Sequence, residues 1–232
     1  MNELNSILDD MFSLLRESKE NNAIKNEIID ILDLISNKKL PDSISESTIK
    51  SFQSCMLREE YIKKAGFSLI TNKFIRNLAK YIGNSKCLEI LSGKGALSKC
   101  LQEQGVKIKA TDNFSWHDRL DMSDLWTDVE KIDCLEAIRK YGKDTDYIIC
   151  SWIPYNSTIG TQILKEMDKV NPNCKLIVIG EGPGGCTADD SFFDNIECVH
   201  SDYLGEDDIK GFQRWNCIYD SVKVVKYKKD HV

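Results

Sequence analysis

The sequence predicts an α/β protein built on an open, mostly parallel sheet, with helices ahead of it. Three observations lead there. The first is the stretch from Lys86 to Asn113, where the short apolar run Cys87, Leu88, Ile90, Leu91 ends at a glycine pair. Helically spaced Ala96, Leu97, Cys100 and Leu101 follow, and Val106 to Ala110 returns to strand-like composition, giving a strand-loop-helix-strand unit. The second is the recurrence of short apolar strands and helical segments from Asp146 to Ile179. The third is a pair of late strand-like segments, Cys198 to Leu204 and Tyr219 to Tyr227, which reads as a terminal hairpin.

Length and composition bound the rest. At 232 residues with 41% hydrophobic residues, the chain can fill one α/β core plus an extension. No apolar run approaches the roughly 18 residues needed to span a bilayer, and Met-Asn-Glu-Leu-Asn at the start does not read as a signal peptide. The expected location is cytoplasmic, with no membrane partner. Nine scattered cysteines, none in a Cys-x-x-Cys pair, read as small core residues in a reducing compartment. A formal net charge of −6 disfavours broad contact with nucleic acid phosphates.

In chain order, Leu4, Ile7, Leu8, Met11, Leu14 and Leu15 follow helical spacing, and Ile24, Ile28, Ile31, Leu32 and Ile35 repeat it. Lys38 to Ser47, with Pro41 and several serines, reads as a linker. Residues 1–47 are thus expected to form a helical extension and linker, and 48–232 the α/β domain. The extension could cover the site, recruit substrate, form a homo-oligomer or simply pack. Thr48 to Lys64 and Thr71 to Tyr81 read as helices leading into the first strand.

Gly93 and Gly95 belong to the turn after that strand, where a missing Cβ permits a tight bend and close approach of a ligand to amides at a helix N-terminus. Glu89 precedes the turn and Asp112 ends the second strand, so both point into the crevice beyond the carboxyl ends of the strands. The spacing of Glu89, Gly93 and Gly95, with Asp112 after them, resembles motif I of the class I S-adenosylmethionine-dependent methyltransferases; Leu91 stands where that pattern usually has its first glycine. The resemblance runs from Phe67 to Tyr227. It implies a Rossmann-like methyltransferase fold, a mostly parallel seven-stranded sheet with an antiparallel last strand, and S-adenosylmethionine as cofactor.

The resemblance also implies roles. Asp112 grips the ribose hydroxyls, Asn113 and the following Trp116 and His117 border the adenine, and Asp133 meets the adenine amino group, although Asp133 also reads as an N-cap of the helix Cys134 to Tyr141. The segment Phe67 to Thr71 could lie over the methionine end, and Ser151 borders the cofactor. After Ser151, Trp152-Ile-Pro-Tyr-Asn156 matches the fourth motif at Pro154 and Tyr155 but lacks the Asp or Asn that orients an amine in amino-group enzymes, which turns the expected acceptor from DNA towards a small molecule or protein. Gly180 to Asp190 is a glycine-rich loop carrying Glu181. Trp152, Tyr155 and Glu181 are the candidate catalytic residues, Glu181 as base, and Pro154 and Trp215 the candidate acceptor-binding residues, with no metal. Two alternatives remain open: a methyltransferase-like module that binds cofactor or protein without turnover, and a nicotinamide-dependent oxidoreductase. The latter needs a third glycine where Ala96 or Ser98 stands and has no use for the charge of Glu89.

Overall fold

Side chains alternating between the two faces of the sheet divide the core into two apolar layers. The computed structural model describes residues 19–115, 124–200 and 202–228; the helix expected at Leu4 to Leu15, and Trp116 and His117, lie outside the described residues. Helices α1 (Lys19–Ser36), α2 (Glu46–Lys50), α3 (Ser54–Lys64) and α4 (Asn72–Ile82) precede the sheet. Then follow β1 (Lys86–Ile90), α5 (Ala96–Glu103), β2 (Lys107–Asp112), β3 (Val129–Lys131), α6 (Cys134–Tyr141), β4 (Tyr147–Ser151), α7 (Ile159–Val170), β5 (Lys175–Glu181), α8 (Asp190–Asp194), β6 (Ile196–Cys198) and β7 (Asp220–Tyr227).

Among the described residues the strands form one sheet of order β3-β2-β1-β4-β5-β7-β6. The pairs from β3 to β5 are parallel, whereas β7 runs antiparallel to both β5 and β6. This is the Rossmann-like methyltransferase architecture. Strand order reverses between β1 and β4, the topological switch point at which open α/β sheets form their ligand crevice.

Because successive side chains alternate between faces, Cys87 packs on one layer while Leu88 and Ile90 pack on the other. The second layer joins Ile148, Cys150, Leu176 and Val178 to α6, α7 and α8. The first joins α3, α4 and α5 to Ile149, Ile177, Val222 and Val224, and also takes in Ile24, Ile28, Ile31, Leu32, Ile35, Leu40 and Ile44. Residues 24–44 of the expected extension therefore share their apolar cluster with Tyr61 and Phe74. The stretch read as a linker is bonded on both sides. Ile44 exchanges hydrogen bonds with the Gln213 side chain at 2.9 and 2.7 Å, and Asn72 donates through its amide nitrogens to the carbonyls of Pro41 and Leu40 at 2.9 and 2.7 Å.

Two boundaries differ from expectation. The single helix expected from Thr48 to Lys64 is two, because Ser51 turns extended (φ −68, ψ 156) and its N–H closes on the Thr48 carbonyl. The strand expected from Cys198 to Leu204 stops at Cys198; beyond it the buried Lys223 ammonium draws the chain off the sheet, donating to the carbonyls of Asp202, Gly205 and Glu206 at 3.1, 3.1 and 2.5 Å.

Candidate functional site

The first glycine-rich turn climbs over the end of β1 on left-handed backbone at Leu91 (φ 54), Gly93 (φ 54) and Gly95 (φ 74). Gly95 has no freedom to carry a side chain, since a Cβ there would come within 2.8 Å of Val129 Cγ2. Leu91 takes the conformation a glycine would take without strain, at a cost of about 1–2 kcal/mol. The departure from the glycine pattern therefore leaves the path of the loop intact.

That path brings the two carboxylates together. Asp112 accepts from the Gly93 N–H through Oδ2 (2.8 Å) and from the Phe114 N–H through Oδ1 (2.6 Å). Burial still holds its carboxyl above the usual carboxylate range, the two amides opposing. Glu89 is 2% exposed, and its Oε2 accepts from the Ser98 N–H and Oγ–H at 3.1 and 2.5 Å. Burial pushes it up to about 8, against the Ser98 bonds and with a smaller push from the Asp112 charge.

Both carboxylates line a cavity of about 100 Å³ at the switch point, together with Phe67, Ser92, Ser151 and Trp152. Ser92 Oγ is buried there without a hydrogen-bond partner. Ser151 Oγ meets Ser68 Oγ at 2.9 Å, tying β4 to the segment that roofs the cavity. Trp152, itself left-handed at φ 56, stacks on Phe67 with ring centroids 5.1 Å apart and an interplanar angle of 18°. Its Nε1–H donates to Asp220 Oδ2 at 3.0 Å.

The remaining residues singled out in the sequence are placed differently. Asn113 accepts from the Ser115 N–H (2.9 Å) as a turn residue. Asp133 caps α6, its Oδ1 accepting from the N–H groups of Leu135 and Glu136 at 2.9 and 3.4 Å. Pro154 lines the cavity, while Tyr155 is 58% exposed beyond it. Glu181 does not line this cavity. Its carboxylate lies under the second glycine-rich loop, Oε2 accepting from the Cys186 N–H (2.8 Å) and Oε1 from the Tyr219 N–H (3.0 Å). Gly185 permits this, since a Cβ there would come within 2.5 Å of Glu181 Cβ. Trp215 is 2% exposed and packs edge-on against Tyr61 at 5.3 Å. It is a core residue bordering a separate cavity beside α3. The acceptor set of Trp152, Pro154, Tyr155, Glu181 and Trp215 is thus not gathered in one cavity, because the backbone amides of the loops hold Glu181 and the helical layer holds Trp215.

Sequence reasoning missed Ser92, Ser98 and Asp220. Ser98 sits on the first turns of α5, the face that the Glu89 side of β1 meets, so helical phase could have found it. Asp220 has a weaker signal, a lone acid at the head of an apolar strand.

No protein-family model matches the chain, and no curated protein matches it significantly. Solved structures overlap it at low identity. A mutant of MtNAS in complex with S-adenosylmethionine is 10% identical at a TM-score of 0.47, over 96% of this chain and 84% of that one. TehB from Haemophilus influenzae is 14% identical at 0.44, over 74% and 67%. A TehB-like SAM-dependent methyltransferase from Corynebacterium glutamicum is 16% identical at 0.44, over 76% and 97%. The fold class rests on the strand order and register of the chain itself, and overlaps of this size carry nothing about its activity.

Proposed function

We propose that this chain binds S-adenosylmethionine in the crevice between β1 and β4 and transfers its methyl group to a small molecule or protein side chain. The observation that carries the reading is the meeting of Glu89 and Asp112 in one cavity, with the Gly93 amide fixed on Asp112. Such a frame suits a ligand with a cationic amino-acid end and a ribose diol. Glu89 would face the ammonium. Asp112 retains lone pairs for ribose hydroxyls after accepting from Gly93 and Phe114, and the unpartnered Ser92 Oγ offers a further bond. Asn113 and Asp133 would border the base, and Ser151 and Phe67 the methionyl end.

When bound, the cofactor supplies a methyl group already activated on a sulfonium. The chain's own contribution is then to hold, orient and keep water out. Typical ligand pockets run to roughly 300–1,000 Å³, so the 100 Å³ cavity must widen. Phe67, 39% exposed, is the wall placed to swing outward. Calorimetric titration with S-adenosylhomocysteine tests the reading: Asp112→Ala should weaken binding by about 1–3 kcal/mol, the range for losing a hydrogen-bonding charged partner. Unchanged affinity in a folded variant would remove the assignment.

A second reading, cofactor binding without turnover, draws support from Glu181. With both carboxylate oxygens held by backbone amides, it is poorly placed to serve as a base. Release of S-adenosylhomocysteine from bound S-adenosylmethionine in an acceptor screen would exclude this second reading.

A further inference from the structure

Trp152 is held at three points. Its backbone N–H donates to the Ile179 carbonyl at 2.8 Å, its indole Nε1–H donates to Asp220 Oδ2 at 3.0 Å, and its ring stacks on Phe67. Its φ of 56° is one that a bulky residue keeps only where the surroundings impose it. Of the three holds, the bond to Asp220 is the one that aims the ring, because the backbone bond sets no side-chain torsion and an offset stack tolerates sliding. Asp220 heads β7, paired with Glu181 at the end of β5, and is 1% exposed. Its carboxylate is therefore out of reach of a ligand and acts through its neighbours. The Arg58 guanidinium, from α3, lies 5.9 Å from the centroid of the Trp152 ring, and its charge acts on the Asp220 carboxyl as well. Arg214 Nε donates to the Asp220 carbonyl while Nη2 pairs with Asp207 at 2.7 Å, which fixes the backbone that carries the carboxylate. Burial raises the Asp220 carboxyl to about 6, against the Trp152 bond and the charges of Arg58 and Arg214 and together with the charge of Glu181, which leaves it ionised at neutral pH. The indole thus donates to a charged acceptor, the stronger kind of hydrogen bond.

We propose that Asp220 is a positioning residue for the cavity at the switch point: by accepting the indole N–H it holds the Trp152 ring as the fixed wall against which a ligand closes. Trp152 lines that cavity with Glu89 and Asp112, and Asp220 stands behind it. The cavity must widen to take a nucleoside, and Phe67 is the wall that swings. A site that opens at one wall keeps its shape only if the other is already ordered. Without the Asp220 bond, the ordering of the Trp152 ring would fall on the binding step and subtract from affinity. The consequence for S-adenosyl compounds rests on the proposed function; the placement of the ring does not.

The test measures S-adenosylhomocysteine binding by calorimetry in the wild-type chain, in Asp220→Asn, Asp220→Leu and Trp152→Phe, and in the double variant of the last two. NMR contacts between the Trp152 and Phe67 rings are read in the ligand-free chain. Asp220→Leu removes the acceptor and Trp152→Phe the donor, so each should weaken binding at least about tenfold, and the double variant no more than either alone. Asp220→Asn keeps an acceptor and should restore affinity to within about threefold of the wild type. The ring contacts should persist in Asp220→Asn and vanish in Asp220→Leu. Additive losses in the double variant, an unchanged affinity in folded Asp220→Leu, or ring contacts that outlast that substitution would overturn the proposal. Should Asp220→Leu not fold, Trp152→Phe decides: wild-type affinity overturns the proposal, and a tenfold loss that Asp220→Asn does not share sustains it. A wild-type chain that binds no S-adenosylhomocysteine removes the cofactor reading, and the ring contacts then decide the positioning by themselves.

Discussion

Glu89→Gln should make the protein more stable as pH rises, while weakening its grip on a cationic ligand. The reasoning starts from a carboxyl that is 2% exposed and pushed up to about 8, mainly by burial. In the unfolded chain the same group titrates near 4.5. A group whose folded value is raised favours folding fully below the unfolded value, and that advantage is lost as pH rises towards the folded one. Between pH 6 and 8 the wild type should therefore lose about 2 kcal/mol relative to Glu89→Gln, at up to 1.36 kcal/mol for each pH unit. Glutamine can still accept from Ser98, so packing and hydrogen bonding change little. Asp112 and Asp220, also raised, titrate in both proteins and largely cancel in the difference. Chemical denaturation of both proteins at pH 6, 7 and 8 is the assay. A stability difference that stays constant over this range would refute the reasoning, since it would mean that Glu89 is already ionised in the folded chain. The same group makes a second readout available: cofactor binding near pH 7 should release a proton as Glu89 ionises to meet the ammonium, seen as a dependence of the calorimetric heat on buffer ionisation.

Other outcomes follow from the same geometry. Phe67→Ala removes the ring stacked on Trp152 and should speed association of S-adenosylhomocysteine in stopped-flow fluorescence; an unchanged association rate would show that Phe67 is not the wall that moves. Glu181→Gln breaks at least one of the bonds that close the second glycine-rich loop and should lower stability by about 1–3 kcal/mol, with cofactor affinity unaltered; a loss of methyl transfer with full stability would restore Glu181 as a base. A chain beginning at Ser43 would expose the apolar faces that Ile28, Ile31, Ile35 and Leu40 now cover, so it should aggregate or melt far below the full chain; a soluble, cofactor-binding product would show that residues 1–42 are separable.

Strands and helices with strong periodicity were legible, and so was the polar frame of the first cavity. The apolar run around Glu89, with glycines and helically spaced apolar residues after it, indicates a strand end, a tight turn and a helix, and Asp112 falls at the end of the next strand. Long-range hydrogen bonding was not legible. Glu181 looked like a free acid at a strand end because nothing local announces that Cys186 and Tyr219 will turn their N–H groups towards it. Trp215 looked like a loop aromatic because its edge contact with Tyr61 joins segments more than 150 residues apart. Pro41 and the surrounding serines read as a linker, but the carbonyls of Pro41 and Asp42 accept from the N–H groups of Asn72 and Lys73 at the start of α4, and Ile44 lies in the core. Composition reports local flexibility of choice; it does not report what docks against the segment afterwards.

The central claim, a sulfonium-nucleoside site framed by Glu89 and Asp112, is tested most directly by titrating the wild-type chain in parallel with S-adenosylhomocysteine, S-adenosylmethionine and NAD. Saturable binding of both S-adenosyl compounds with none of NAD is the predicted result. Binding of NAD alone, or of none of the three to a folded chain, would contradict it.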